Sequence, residues 1–206
     1  NKLTPEIPIL SEEGEKLEGD IDTFWCVDPL DGTKEFIKKN GEFTVNIALI
    51  ENHQPVLGVI HIPVINETFL GMKGEGVKKI KDHQIHQLPK QKNETRQPPI
   101  FAVSRSHLNQ QTQDFIQQHQ AKTNVAGSSL KLTMIAEGKA DAYPRFGMTS
   151  LWDMAAGHAI VKETGGEIYT LDQQSLVYNV AHILNPNLIV VRHKKIKFTM
   201  EEKHES

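Results

Sequence analysis

One short run constrains this chain more than any other. Residues 25–36 read Trp-Cys-Val-Asp-Pro-Leu-Asp-Gly-Thr-Lys-Glu-Phe. Here an apolar stretch delivers two carboxylates, Asp28 and Asp31, three residues apart. The stretch 24–27 reads as a buried strand, and Pro29, which lacks an N–H for a ladder, is expected to end it. Gly32 lets backbone approach a ligand closely, and Thr33 is expected to open a helix whose free N–H groups face the same spot. Paired carboxylates repel without a cation between them, whereas free N–H groups attract an anion. Together they predict a place where a divalent metal meets a phosphate.

Composition permits such a site and narrows its partners. The 206 residues make one large domain or two small lobes. A net charge of −3 gives no global basic field to recruit a nucleic acid polymer or anionic lipid. A nucleotide-sized molecule needs only a local basic pocket. The sequence holds no apolar run of about eighteen residues, the length that spans a bilayer, and no cleavable signal. Cys26 is the only cysteine, so no intrachain disulfide forms, and its apolar setting marks an inert core thiol. These features place the chain in the cytoplasm, or peripherally at the inner membrane.

In chain order, residues 7–10 read as a strand closed by the turn Ser11-Glu12-Glu13-Gly14. Alone, Glu12 is a solvated turn residue; beside Asp28 and Asp31 it becomes a further ligand. Strands are expected at 43–50, 56–62, 68–72 and 76–80, an antiparallel meander. The polar stretch 91–99, ending in two prolines, reads as a linker between an N-terminal lobe (1–92) and a C-terminal lobe (98–206). Beyond it strands at 100–104, 123–126, 140–143, 167–171 and 188–192 alternate with helices at 109–119, 128–137 and 152–164. His61, His83 and His86 show no metal-ligand spacing. Ser150 or Thr149 is expected to cap the last helix, which puts Asp153 in its first turn. From there Asp153 can complete the metal cage from the second lobe, at the junction where clefts form.

The run 25–37, with Ser11-Glu12-Glu13 before it and Trp-Asp-Met-Ala-Ala-Gly at 152–157 after it, resembles the inositol monophosphatase-like superfamily of Mg²⁺-dependent phosphatases. Further stretches at 40–46, 103–107, 127–131 and 143–147 resemble its branch of bacterial bisphosphate nucleotidases. The resemblance implies a layered α-β-α-β-α sandwich whose first helices lie outside this sequence. It implies Mg²⁺ held by Glu12, Asp28, Asp31, Asp153 and the Leu30 carbonyl. It makes Gly32 and Thr33 the phosphate-binding residues, with the Thr33 hydroxyl orienting the attacking water. His107, Ser128, Lys131 and Arg145 then bind the nucleotide and its second phosphate. The bland readings are a solvated Lys131 and Arg145 and a plain N-cap at Ser128. In the family an aspartate from a preceding helix pairs with the threonine, and that segment is not in the sequence. The expected activity is hydrolysis of adenosine 3′,5′-bisphosphate, the by-product of sulfate assimilation, with sensitivity to Li⁺. An inositol or sugar phosphatase, or a metal- and nucleotide-binding fragment without turnover, are the alternatives.

Overall fold

The computed structural model describes residues 2, 4–94, 96–106 and 108–200. Seven strands form the first sheet in sequence order: β1 (Ile9–Ser11), β2 (Thr23–Asp31), β3 (Thr44–Glu51), β4 (Gln54–Ile62), β5 (Glu67–Met72), β6 (Gly76–Lys81) and β7 (Gln84–Leu88). β1 runs parallel to β2, and every later neighbour is antiparallel, the expected meander. β7 was not expected: Gln84, His86 and Gln87 carry no apolar alternation, because an edge strand exposed on both faces needs none.

A second sheet has five strands in the order β11 (Glu167–Thr170), β12 (Leu188–Val191), β10 (Ala142–Arg145), β8 (Ile100–Ser104), β9 (Lys122–Ala126). Between the sheets lie α3 (Leu130–Ala136) and α4 (Leu151–Glu163), and α2 (Gln110–Gln118) packs on the far side of the second sheet. A short helix α1 (Thr33–Ile37) follows β2. The described residues thus stack as sheet, helices, sheet, helix, four layers of the expected sandwich. The small residues of α4 work as close-packing surface. A Cβ at Gly58 of β4 would lie 2.2 Å from the Ala156 carbonyl oxygen, and one at Gly157 2.2 Å from Leu132. One apolar cluster runs through this layer, from Phe24 and Ile60 through Leu132 and Ile160 to Val190. No helix among the described residues is long and apolar enough to cross a membrane.

Of the expected boundaries that move, three have a plain local cause. The helix expected at 128–137 starts at Leu130, because Ser128 adopts a left-handed conformation that a helix cannot contain. The strand expected at 140–143 runs from Ala142 to Arg145 instead. Asp141 ahead of it turns its carboxylate back to accept from the Ile100 backbone N–H at 2.8 Å.

The third correction bears on the site. β2 does not stop at Pro29 but continues to Asp31, with a register shift between Asp28 and Asp31. Asp28 stands opposite Asn46 and Asp31 opposite Thr44, so Pro29 and Leu30 together face the single residue Val45. That is a β-bulge, where a residue without an N–H disturbs no ladder. Residues three apart on a regular strand point to opposite faces. The extra residue of the bulge brings both aspartates to the face that Thr44 and Asn46 occupy, which is why the spacing is Asp-Pro-Leu-Asp.

Candidate active site

Asp28 is 1% exposed, and the Leu30 backbone N–H donates to its Oδ1 at 2.9 Å, tying the corner of the bulge. Asp153 sits in the first turn of α4, where Ser150 is the N-cap. Its Oδ2 accepts from the Ser150 backbone N–H at 2.7 Å, half of a capping box. The carboxylates of Asp28, Asp31 and Asp153 each bring an oxygen within 4.8 Å of the others.

This juxtaposition is costly. Burial, and then the Asp31 charge, push the Asp28 carboxyl up to about 8, with Glu12 and Asp153 adding to the rise. Burial and Asp31 likewise raise Asp153 to about 7, with Glu12 adding and Arg145 relieving it in part. An all-oxygen set of crowded carboxylates, unstable in its own charge, is what a hard divalent cation relieves. The residues present therefore fit a divalent metal. Glu12, in the exposed turn after β1, is outside the group of three, although its charge reaches both Asp28 and Asp153.

Beside the acids lies a cavity of about 260 Å³ whose wall includes Gly32, Thr33, Lys131, Arg145 and Asp153. Gly32 has φ 88°, and a Cβ there would come within 3.0 Å of the Ser128 side chain and 3.2 Å of the Glu42 carbonyl. The position demands glycine on both counts. Lys131 is buried rather than solvated. Its ammonium donates to the Ser128 carbonyl at 2.5 Å and lies 5.3 Å from the Tyr143 ring centroid, and burial pulls its pKa down to about 8. Arg145, at the end of β10, donates from Nη2 to the Met148 carbonyl at 2.9 Å. One wall is thus anionic and another cationic, although α3, β10 and β2 are far apart in sequence.

Ser128 is not a plain cap: the N-cap of α3 is Ser129, and its side chain caps no N–H. The Ser128 hydroxyl instead donates to Asp31 Oδ2 at 2.9 Å. His107 lies outside the described residues. Several participants escaped the sequence reading. Thr44, Asn46 and Ser129 all reach Asp31. Glu42 accepts from the Gly127 N–H and from Arg105, all at 2.7 Å, and so fixes the turn that carries Ser128. Buried Glu35 accepts from Ser106 at 2.6 Å. Thr44 and Asn46 left one legible trace, since they hold inward positions of β3 that Ala48 and Ile50 continue as apolar.

Comparison with known proteins agrees with this geometry. The profile of the inositol monophosphatase family matches residues 1–204. The 3′(2′),5′-bisphosphate nucleotidase CysQ of Escherichia coli is 44% identical over 199 residues, covering 91% of this chain and 77% of that protein. Among solved structures, CysQ from Bacteroides thetaiotaomicron superposes with a TM-score of 0.82 at 41% identity, over 95% of this chain and 79% of its own. The IMPase of Thermotoga maritima gives a TM-score of 0.75 at 27% identity, over 93% and 71%.

Proposed function

Because the chain belongs to the inositol monophosphatase family, we propose that it is a Mg²⁺-dependent phosphomonoesterase that converts adenosine 3′,5′-bisphosphate to AMP and phosphate. The observation that carries the reading is one cavity lined by Asp31 and Asp153 and also by Lys131 and Arg145, with buried Asp28 grouped behind the two acids. The relatives named as bisphosphate nucleotidases support the choice of substrate. The setting is cytoplasmic clearance of a by-product of sulfate assimilation, and sensitivity to Li⁺ belongs to the same reading. We take the two sheets as two lobes, 1–92 and 98–206, with the site at their junction.

Asp28, Asp31 and Asp153 would hold the metal, joined by Glu12 and the Leu30 carbonyl. When bound, Mg²⁺ supplies Lewis-acid polarisation and neutralises charge on the phosphoryl group. The backbone N–H groups of Gly32 and Thr33 bind oxygens of the scissile phosphate, and the Thr33 hydroxyl orients the attacking water. Lys131 and Arg145 meet the second phosphate, Arg145 through a planar fork and Lys131 as a point charge. His107 and Ser128 complete the nucleotide subsite. Lys131 is also poised by its surroundings: already seated on the Ser128 carbonyl, it needs little ordering on binding.

The test is phosphate release from adenosine 3′,5′-bisphosphate, 3′-AMP, inositol 1-phosphate and fructose 1,6-bisphosphate, each with and without Mg²⁺. The nucleotide bisphosphate should give the highest kcat/KM, and chelation should abolish release. A preference for inositol or sugar phosphate would reassign the substrate while keeping the metal chemistry. Binding of nucleotide and metal without any release would reduce the chain to a binding module.

A further inference from the structure

Asp31 differs from its two partners in how firmly the protein grips it. Its Oδ2 accepts from Ser129 Oγ at 2.7 Å, Ser128 Oγ at 2.9 Å and Asn46 Nδ2 at 3.2 Å. With one oxygen committed to these donors, the other is the one left for a cation. The shortest of the three contacts belongs to Ser129, which is 3% exposed.

Donor and acceptor roles at Ser129 are forced. Asn46 Nδ2 lies 2.8 Å from Ser129 Oγ, and an amide nitrogen can only donate. The Ser129 oxygen is therefore an acceptor toward Asn46, and its single proton points to Asp31, with the Asp153 backbone carbonyl a weaker second acceptor at 3.3 Å. Ser128 is held in turn: its proton goes to Asp31, so the Thr44 hydroxyl, 2.6 Å away, donates to the Ser128 oxygen. The Ser129 hydroxyl thus touches β3, the bulge of β2 and the first turn of α4.

We propose that Ser129 is a positioning residue whose hydroxyl locks the two halves of the metal cage, Asp31 on β2 and Asp153 on α4, at binding distance. The inference rests on the metal-binding reading above. It adds that affinity for the cation is set by a polar chain, Asn46 to Ser129 to Asp31, lying behind the ligands. Partners of this outer kind typically account for about 10–100-fold in metal affinity.

The test is a calorimetric titration of Mg²⁺ alone into the full chain, without substrate. Wild type should bind, and Ser129→Ala should bind about 10–100-fold more weakly. Thr133→Ala serves as control, since it removes a buried hydroxyl of the same helix that, among the described residues, bonds to the Leu130 carbonyl alone, at 2.9 Å. It should leave Mg²⁺ affinity unchanged. In steady state the Mg²⁺ midpoint of Ser129→Ala should rise, while KM for nucleotide at saturating Mg²⁺ stays near wild type. Asn46→Ala should weaken Mg²⁺ similarly, and the double variant should cost less than the two singles together, the signature of one coupled chain. The single variant Asn46→Ala also decides the matter if Ser129→Ala does not fold. Wild-type Mg²⁺ affinity in the folded variants overturns the role of Ser129 alone. Absence of Mg²⁺ binding by wild type overturns the metal reading beneath it.

Discussion

Asp28 and Asp141 are the same residue type in equal burial, 1% and 0% exposed, and the protein treats them in opposite ways. Asp141 is fully answered. Its Oδ1 takes the Arg192 Nε at 2.5 Å and the Arg96 Nη1 at 3.4 Å, and its Oδ2 takes the Ile100 backbone N–H. Arg192 in turn donates to the Lys92 carbonyl at 2.8 Å, pinning the connection between the sheets. Asp28 has one backbone donor and three acidic neighbours that raise its pKa. Asp141 is neutralised by the chain itself, whereas Asp28 is left in deficit, the state that a cation would relieve. Unrelieved repulsion among buried acids is thus a better pointer to the site than burial or charge alone.

The largest expected effect breaks the structural member of the pair. Removing one partner of a buried ion pair costs about 3–5 kcal/mol, because the other charge is left uncompensated. Asp141→Ala should lose that much stability in urea unfolding and retain phosphate release per folded molecule. A loss below about 1 kcal/mol, the range of a surface pair, would mean that Arg192 finds other partners and the contrast is false.

The next effect sharpens the contrast within the site, where the proposed reading gives the cationic wall the second phosphate. Arg145→Ala should lower kcat/KM for adenosine 3′,5′-bisphosphate by roughly ten- to more than a hundredfold, the worth of a charged hydrogen bond of about 1.5–3 kcal/mol. The value for 3′-AMP, which lacks the second phosphate, should barely move. An equal loss on both would return Arg145 to the scissile phosphate or to structure, in keeping with its bond to Met148.

How legible the site was depended on whether its residues announce themselves locally. Asp28, Asp31 and Gly32 are bracketed by a proline and a helix start, so their chemistry shows in the sequence. The bulge that turns both aspartates to one face does not, and Pro29 read alone pointed to a strand end. Asp153 was readable as a first-turn acid, yet its meeting with Asp31 depends on α4 crossing behind β3 and β4. Ser129 and Asn46 are ordinary residue types, 83 positions apart, joined only by the packing of the two sheets around α3 and α4. Strands and helices with an apolar face were legible for the same reason that β7 was not: burial leaves a pattern, and an exposed edge leaves none.

The smallest expected effect concerns a third buried cluster, satisfied without net repulsion. His158 on α4 is 0% exposed; Tyr178 OH lies 3.1 Å from its Nδ1 and Glu167 Oε1 2.6 Å from its Nε2. A neutral ring serves both, accepting from the phenol at Nδ1 and donating from Nε2 to the carboxylate. Burial holds the His158 pKa below its usual 6.5 despite Glu167, with nearby Lys162 pressing the same way. Glu167 is itself held below 4.5 by the bond to His158, against the cost of burial. Both shifts give one sign. Below about pH 6.5 the unfolded chain takes up a proton at His158 that the folded chain refuses, so stability falls as pH falls, by at most about 1.4 kcal/mol per pH unit for one proton. Glu167 adds a loss of the same sign, beginning lower, near its unfolded value. Urea midpoints measured from pH 7.5 to 5 should therefore decline for wild type, and the His158→Gln variant should be flatter over that span. An unchanged slope in the variant would mean that this acid sensitivity arises elsewhere, and that the cluster is held protonated when folded.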